Sequence, residues 1–219
     1  MSNKLPALIF DLDGTLTDSM PGIVGCLRNV LDARGMSDQG PLERFAGPPV
    51  EEWTTELLPD GSDEDREALV REYRGCYDRE GWLKNSVFAG VRELLAELRQ
   101  KGFPLYVCTS KQQHFAERIL DLFELSGMFT AIYGDKNEYE SHSKVDLLGK
   151  LLREQSLQPE TAWMIGDRIY DIGAAQANGI RCVAAGWGYG STEEYAVADA
   201  MAATPADVVG IVSGVDCQG

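Results

Sequence analysis

Two apolar runs in this chain stop on aspartates, and that pattern restricts the fold more than any other. Leu5 to Phe10 leads into Asp11-Leu12-Asp13-Gly14-Thr15, and Thr161 to Ile165 gives way through Gly166 to Asp167, with Asp171 four residues later. Each run is short and is followed by a longer helical pattern, so each reads as a buried strand. A strand covered on both faces releases its charges only at its end, and open parallel sheets build their binding sites at the carboxyl ends of their strands. Three further short runs share this character: Phe103 to Cys108, Ile180 to Ala184 and, more weakly, Ala131 to Tyr133. Helix-length segments lie between them at Val91 to Gln100, Gln113 to Leu122, Lys144 to Glu154 and Ile169 to Asn178. Alternation of this kind predicts an α/β, doubly wound, Rossmann-like parallel sheet with helices on both faces.

The rhythm breaks between the first strand and Val91. About seventy residues there hold no convincing buried strand and instead give helical stretches at Pro21 to Arg34, Pro41 to Phe45, Val50 to Leu57 and Asp63 to Asp78. No ordinary loop in a compact domain is that long, so an inserted helical domain is expected. The expected division is residues 1–18 with 86–219 for the α/β core and 19–85 for the insertion. Residues 51–80 carry eleven Asp/Glu against four Arg/Lys, a net of -7, which reads as a solvated outer face.

Over all 219 residues, 35 acids against 20 bases leave a net charge of -15. That balance argues against nucleic acid as the partner, because no basic excess offsets the phosphates. The opening MSNKLPALIF reaches Asp11 too soon for a signal peptide or a spanning helix, so neither membrane insertion nor export is expected. Five scattered cysteines, with no CxxC pair, make a disulfide framework or a structural zinc site a poor fit and point to a reducing cytoplasm. A monomer is the expected state, with a weak dimer as the alternative.

An Asx-turn closed by Gly14 would account for the first acidic strand end by itself. The second makes chance a poorer explanation, since Asp11, Asp13, Asp167 and Asp171 around one crevice would repel each other without a cation. Oxygen-only ligands point to Mg²⁺. Thr109 and Ser110, at another strand end, offer hydroxyls and turn N–H groups to an oxyanion, and Lys144 opens a helix with a compact positive charge. Taken singly, Thr109 could be a helix cap and Lys144 a surface lysine; together with the carboxylates they suit phosphoryl transfer. No Walker-type glycine loop is present in the sequence.

In order, ALIFDLDGTLTDS, YVCTSK, Lys144 and MIGDRIYDIGAAQANG resemble the four motifs of the haloacid dehalogenase-like hydrolases, most of them Mg²⁺-dependent phosphatases. The insertion after the first motif, RFAGPP (Arg44 to Pro49) and VAAGWGYGSTEE (Val183 to Glu194) are similar to the phosphoglycolate phosphatase-like branch. The resemblance implies a mobile helical cap, Asp11 as nucleophile and Asp13 as general acid and base. It further implies Mg²⁺ held by Asp11, the Asp13 backbone carbonyl, Asp167 and Asp171, with Thr109 and Lys144 on the phosphoryl group. Ser110, Lys111 and the cap residue Arg44 are the expected substrate contacts. The implied substrate is a small phosphate monoester, 2-phosphoglycolate first, with nucleoside monophosphates or a sugar phosphate, including a mutase reaction, as alternatives. A binding protein that has lost turnover is disfavoured by the intact motifs. Trp187-Gly188-Tyr189-Gly190 could stack on a base, although aromatics in such loops more often pack a core edge.

Overall fold

The computed structural model describes residues 5–36, 38–48, 50–136 and 143–214, apart from the side chain of residue 51. Pro49 of the RFAGPP segment and Cys217 lie outside the described residues. The chain divides into two compact units, one of Met1–Thr17 with Val87–Gly219, the other of Asp18–Ser86.

In the first unit, β1 (Ala7–Phe10) is wholly buried, which explains why its sequence is apolar at every position rather than at alternate ones. The chain passes out through β2 (Thr17–Asp18) and returns through β3 (Ser86–Val87), which together form a separate two-stranded sheet. After the return come α4 (Val91–Lys101), β4 (Leu105–Gln112), α5 (Gln113–Leu122), β5 (Ala131–Asp135), α6 (Lys144–Glu154), β6 (Ala162–Gly166), α7 (Ile169–Ala177), β7 (Arg181–Ala185), α8 (Thr192–Tyr195), β8 (Ala200–Ala202) and α9 (Asp207–Val212). The six-stranded sheet has the order β5-β4-β1-β6-β7-β8 and is parallel throughout. From edge strand β5 the chain therefore returns past β4 and β1 to start β6 on the far side of β1. That reversal opens a crevice at the carboxyl ends of β1, β4 and β6.

One face of the sheet closes under α6 and α7, where Ile9, Cys108, Met164 and Cys182 pack with Leu148, Leu151, Ile172 and Ala175. α6 starts where it does because the Ser143 hydroxyl accepts the Asp146 N–H at 3.2 Å. That cap fixes Lys144 as the first residue of the helix. α4 is bracketed by Gly90 and Gly102, both in the left-handed region at φ 86° and 88°.

Strand β8 has no counterpart in the sequence reading. It is three residues long, alanine-rich and half exposed at the sheet edge, so it never produces the apolar run that marks a buried strand. The segment Val208 to Val212, legible only as a last helical turn or an edge element, is helical in α9.

The second unit holds α1 (Met20–Ala33), a 3-10 turn at Leu42–Phe45, α2 (Val50–Leu57), α3 (Asp63–Arg79) and a 3-10 turn at Gly81–Leu83. Its core combines Leu27, Leu31 and Leu69 with an aromatic chain from Phe45 through Trp53 and Tyr73 to Tyr77, at centroid spacings of 5.7, 4.9 and 6.0 Å. A capping box between Ser62 and Asp65 starts α3.

Candidate active site

The carboxyl ends of β1, β4 and β6 set the frame. The Asp11 N–H donates to the Ile165 carbonyl at 2.9 Å, so the β1–β6 ladder runs on to the first aspartate and holds it beside the Asp167 loop. After Asp11 the chain turns tightly at Gly14, φ 85°, where any Cβ would press into the Asp167 carboxylate. α7 begins just past Asp167, and in its first turn the Asp171 carboxylate accepts the Arg168 N–H at 3.0 Å.

Carboxylate oxygens of Asp11, Asp167 and Asp171 all lie within 4.8 Å of one another, and all three residues are buried. Lys144 reaches this cluster from α6. Its ammonium donates to Asp11 Oδ1 at 2.6 Å and forms a second close ion pair with Asp171. Three carboxylates thus crowd together under cover with one cation, which pairs with two of them. Burial pushes the Asp11 carboxyl up to about 7 against the pull of Lys144, with Asp171 and Asp13 adding to the rise. Burial, followed by the charges of Asp171 and Asp11, raises Asp167 well above the ordinary carboxylate range. For Lys144 burial acts downward, but Asp11 and Asp171 outweigh it and keep the ammonium charged. Three hard oxygen donors around one lysine leave an excess of two negative charges if all ionise. A divalent cation of the Mg²⁺ type fits that deficit and that donor set.

Of the four carboxylates expected around one crevice, Asp11, Asp167 and Asp171 form the tight cluster, while Asp13, near enough for its charge to act on Asp11, pairs with a lysine. Asp13 Oδ2 accepts from Lys111 Nζ at 2.6 Å. Lys111, expected to face substrate, is thereby engaged by Asp13; it lies where the β4–β5 register shifts between Cys108 and Gln112. Thr109 is buried at the end of the regular part of β4, and its hydroxyl accepts the Lys111 N–H at 3.3 Å. Ser110 follows it in the same strand.

Arg44 belongs to the helical unit, and its guanidinium is already engaged there. It donates from Nε to Glu56 at 2.7 Å, from Nη2 to the Gln39 carbonyl at 3.0 Å and from Nη1 to the Pro41 carbonyl. The planar head also lies 4.3 Å from the Phe45 ring centroid. Two groups to which the sequence assigns no site role contact Asp167 directly, one in the first motif and one in the stretch Trp187–Gly190 considered for base stacking. The Thr15 hydroxyl donates to its Oδ1 at 3.1 Å, and the Tyr189 N–H donates to its Oδ2 at 2.8 Å. Thr15 stood in the first motif, but the Tyr189 contact is made by main chain and leaves no residue signature.

A doubly wound parallel sheet that gathers buried aspartates, a lysine and a threonine at its carboxyl ends defines the class of α/β hydrolytic or group-transfer enzymes using acidic strand ends. The family model described as haloacid dehalogenase-like hydrolase matches residues 8–185, and the chain belongs to that family. It is 41% identical over 188 residues to the tyrosine-protein kinase PtkA of Mycobacterium tuberculosis, covering 85% of this chain and 64% of that protein. The chain thus spans less than two thirds of that relative's length. A 5'-nucleotidase of Pseudomonas aeruginosa is 38% identical over 194 residues, 87% of each chain. A phosphoglycolate phosphatase of Aquifex aeolicus is 29% identical over 204 residues, 92% of this chain and 94% of that one. The crystal structure of a predicted phosphatase from Clostridium acetobutylicum superposes with a TM-score of 0.86 at 30% identity, covering 97% of this chain and 99% of that one. No described helix is long and apolar enough to cross a membrane.

Proposed function

We propose that this chain is a Mg²⁺-dependent phosphatase that hydrolyses small phosphate monoesters through an aspartyl phosphate. The observation that carries the reading is the buried triad Asp11, Asp167 and Asp171, with Lys144 paired to Asp11 and Asp171, at the strand ends where such sheets bind ligands. Asp11, Asp167, Asp171 and the Asp13 backbone carbonyl would hold Mg²⁺, which when bound neutralises carboxylate charge and favours anionic phosphoryl oxygens.

In the first step an Asp11 carboxylate oxygen attacks phosphorus. The bond from phosphorus to the leaving oxygen breaks, and Asp13 donates its proton to that oxygen. In the second step Asp13 takes a proton from water, whose oxygen attacks the aspartyl phosphate, releasing inorganic phosphate and regenerating Asp11. Lys144 holds the Asp11 oxygen not used in attack and offsets charge on the transferring group, while the Thr109 hydroxyl offers a donor to the same group. Asp13 must be free to reach the leaving oxygen, so its pairing with Lys111 is read as a resting arrangement.

The substrate readings are 2-phosphoglycolate, nucleoside 5'-monophosphates and a sugar phosphate, and the site bears on the first two. Phosphoglycolate carries a second anion that needs its own donor, and the expected donor, Arg44, is committed to Glu56 and two carbonyls. That engagement, with the higher identity to the relative named 5'-nucleotidase, favours the nucleotide. A cytoplasmic monomer, with a weak dimer as the alternative, is carried with this reading.

The test is phosphate release from a panel holding 2-phosphoglycolate, nucleoside 5'-monophosphates, a sugar phosphate and p-nitrophenyl phosphate, before and after EDTA. Asp11→Asn should lower turnover by about 10⁴-fold or more on every substrate, as removal of a nucleophile does. Undiminished release by purified Asp11→Asn protein would overturn the mechanism. A faster rate on phosphoglycolate than on every nucleotide would reverse the substrate preference alone.

A further inference from the structure

We propose that the turn Trp187–Gly190 is the positioning element for Asp167, holding its carboxylate ready for the cation. This rests on the reading of Asp167 as a Mg²⁺ ligand and adds to it the part of the chain that sets the ligand's affinity.

Asp167 is fully buried just beyond the end of β6, a place where a lone carboxylate would be free to turn about two side-chain bonds. Both of its oxygens are instead held, by the Thr15 hydroxyl on one side and the Tyr189 N–H on the other. These two donors are themselves tied together, since Trp187 Nε1 donates to the Thr15 carbonyl at 2.9 Å. The result is a closed circuit from Trp187 to Thr15, from Thr15 to Asp167, and back through Tyr189 to the turn.

Gly188 sits inside that circuit. A Cβ there would overlap both Asp167 Cβ and the Gly14 carbonyl oxygen and lie 2.8 Å from the Asp167 carboxyl carbon. Its φ is not in the left-handed region, so the need for glycine is one of space: the turn lies directly on the aspartate. The turn is anchored at both ends. Gly188 N–H donates to the Ala185 carbonyl at 3.0 Å, and beyond the turn Arg168 Nε pairs with Glu194 at 3.1 Å. Glu194 in turn accepts the Ser191 N–H at 3.2 Å. Fixing a ligand's orientation before the ion arrives removes an ordering cost from binding, and loss of such supporting contacts typically weakens metal affinity about 10–100-fold.

The experiment is calorimetric titration of Mg²⁺ into the metal-stripped full chain, comparing wild type, Asp167→Asn, Trp187→Phe, Gly188→Ala and Trp53→Phe. Trp53→Phe is the matched control: its indole N–H donates to the Pro48 carbonyl at 3.1 Å within the helical unit, so it loses an equivalent hydrogen bond in the unit that does not carry the carboxylates. Trp187→Phe should weaken Mg²⁺ binding about 10-fold and Gly188→Ala about 100-fold, with Trp53→Phe at wild-type affinity. Should Gly188→Ala fail to fold, Trp187→Phe against Trp53→Phe still decides. Wild-type Mg²⁺ affinity in Trp187→Phe, with binding lost in Asp167→Asn, overturns the positioning role while leaving the metal reading intact. Wild-type affinity in Asp167→Asn overturns the metal reading itself, and this proposal with it.

Discussion

In the α/β unit, Lys144 and Asp11 lie 133 positions apart in sequence and meet with side chains 7% and 9% exposed. In the helical unit, Arg34 and Glu72 are 38 apart and meet with side chains 22% and 49% exposed, and Arg44 pairs with Glu56 at 39% and 56%. Both regions are rich in acids, but they meet opposite conditions. Water screens the helical unit's pairs, which stabilise the fold only slightly. The α/β unit's charges have lost their water, and a fold keeps such a cluster at a standing cost in stability. The contrast teaches that charge count is a poor guide to function. Charge that stays buried although it is short of partners is the informative kind.

The comparison predicts its largest effect at Lys144. Lys144→Met should cost about 3–5 kcal/mol in the metal-free chain, because it strands Asp11 and Asp171 without their cation, and should lower turnover by about 10³-fold. Denaturant titration and phosphate release measure the two; a loss below about 1 kcal/mol would mean the cluster relaxes as freely as a surface pair.

Mg²⁺ at about a hundredfold its dissociation constant should stabilise the wild-type chain by about 2.7 kcal/mol, reversibly with EDTA. The shift in denaturation midpoint should vanish in Asp167→Asn, and a full shift in that variant would separate stabilisation from the carboxylate cluster.

In the helical unit, Arg44→Ala should cost less than about 1 kcal/mol. It should also change kcat/KM for 2-phosphoglycolate less than about threefold, since its guanidinium is spent on its own unit. A loss of about tenfold or more on phosphoglycolate, without one on p-nitrophenyl phosphate, would restore it as the donor to a second anion.

The smallest effect concerns acid. Hydrogen bonds from Arg34 hold the Glu72 carboxyl below its ordinary 4.5. A carboxyl lowered on folding contributes stability above its unfolded value, and that contribution fades as pH falls through the folded one. Exposure limits it to about 0.2–1 kcal/mol, read as the difference between wild type and Arg34→Met across the acid limb of a stability–pH curve. No difference would place the pair among those that contribute nothing.

The sequence by itself determined the strand ends and the helix that carries Lys144. Leu8, Ile9 and Phe10 are apolar without alternation because both faces of β1 are covered, and Ser143 with Asp146 marks the α6 start through contacts three residues apart. Such signals are local, and periodicity or capping writes them into adjacent residues. Only the tertiary structure decided which charges meet: that Asp13 pairs with Lys111, that Lys144 pairs with Asp11 and Asp171, and that Arg44 is occupied by Glu56. It alone decided that the Tyr189 N–H, 22 positions from Asp167, completes that carboxylate's hydrogen bonds. A backbone N–H is present at every residue but proline, so its selection depends on where the chain crosses itself, and no residue type records that crossing.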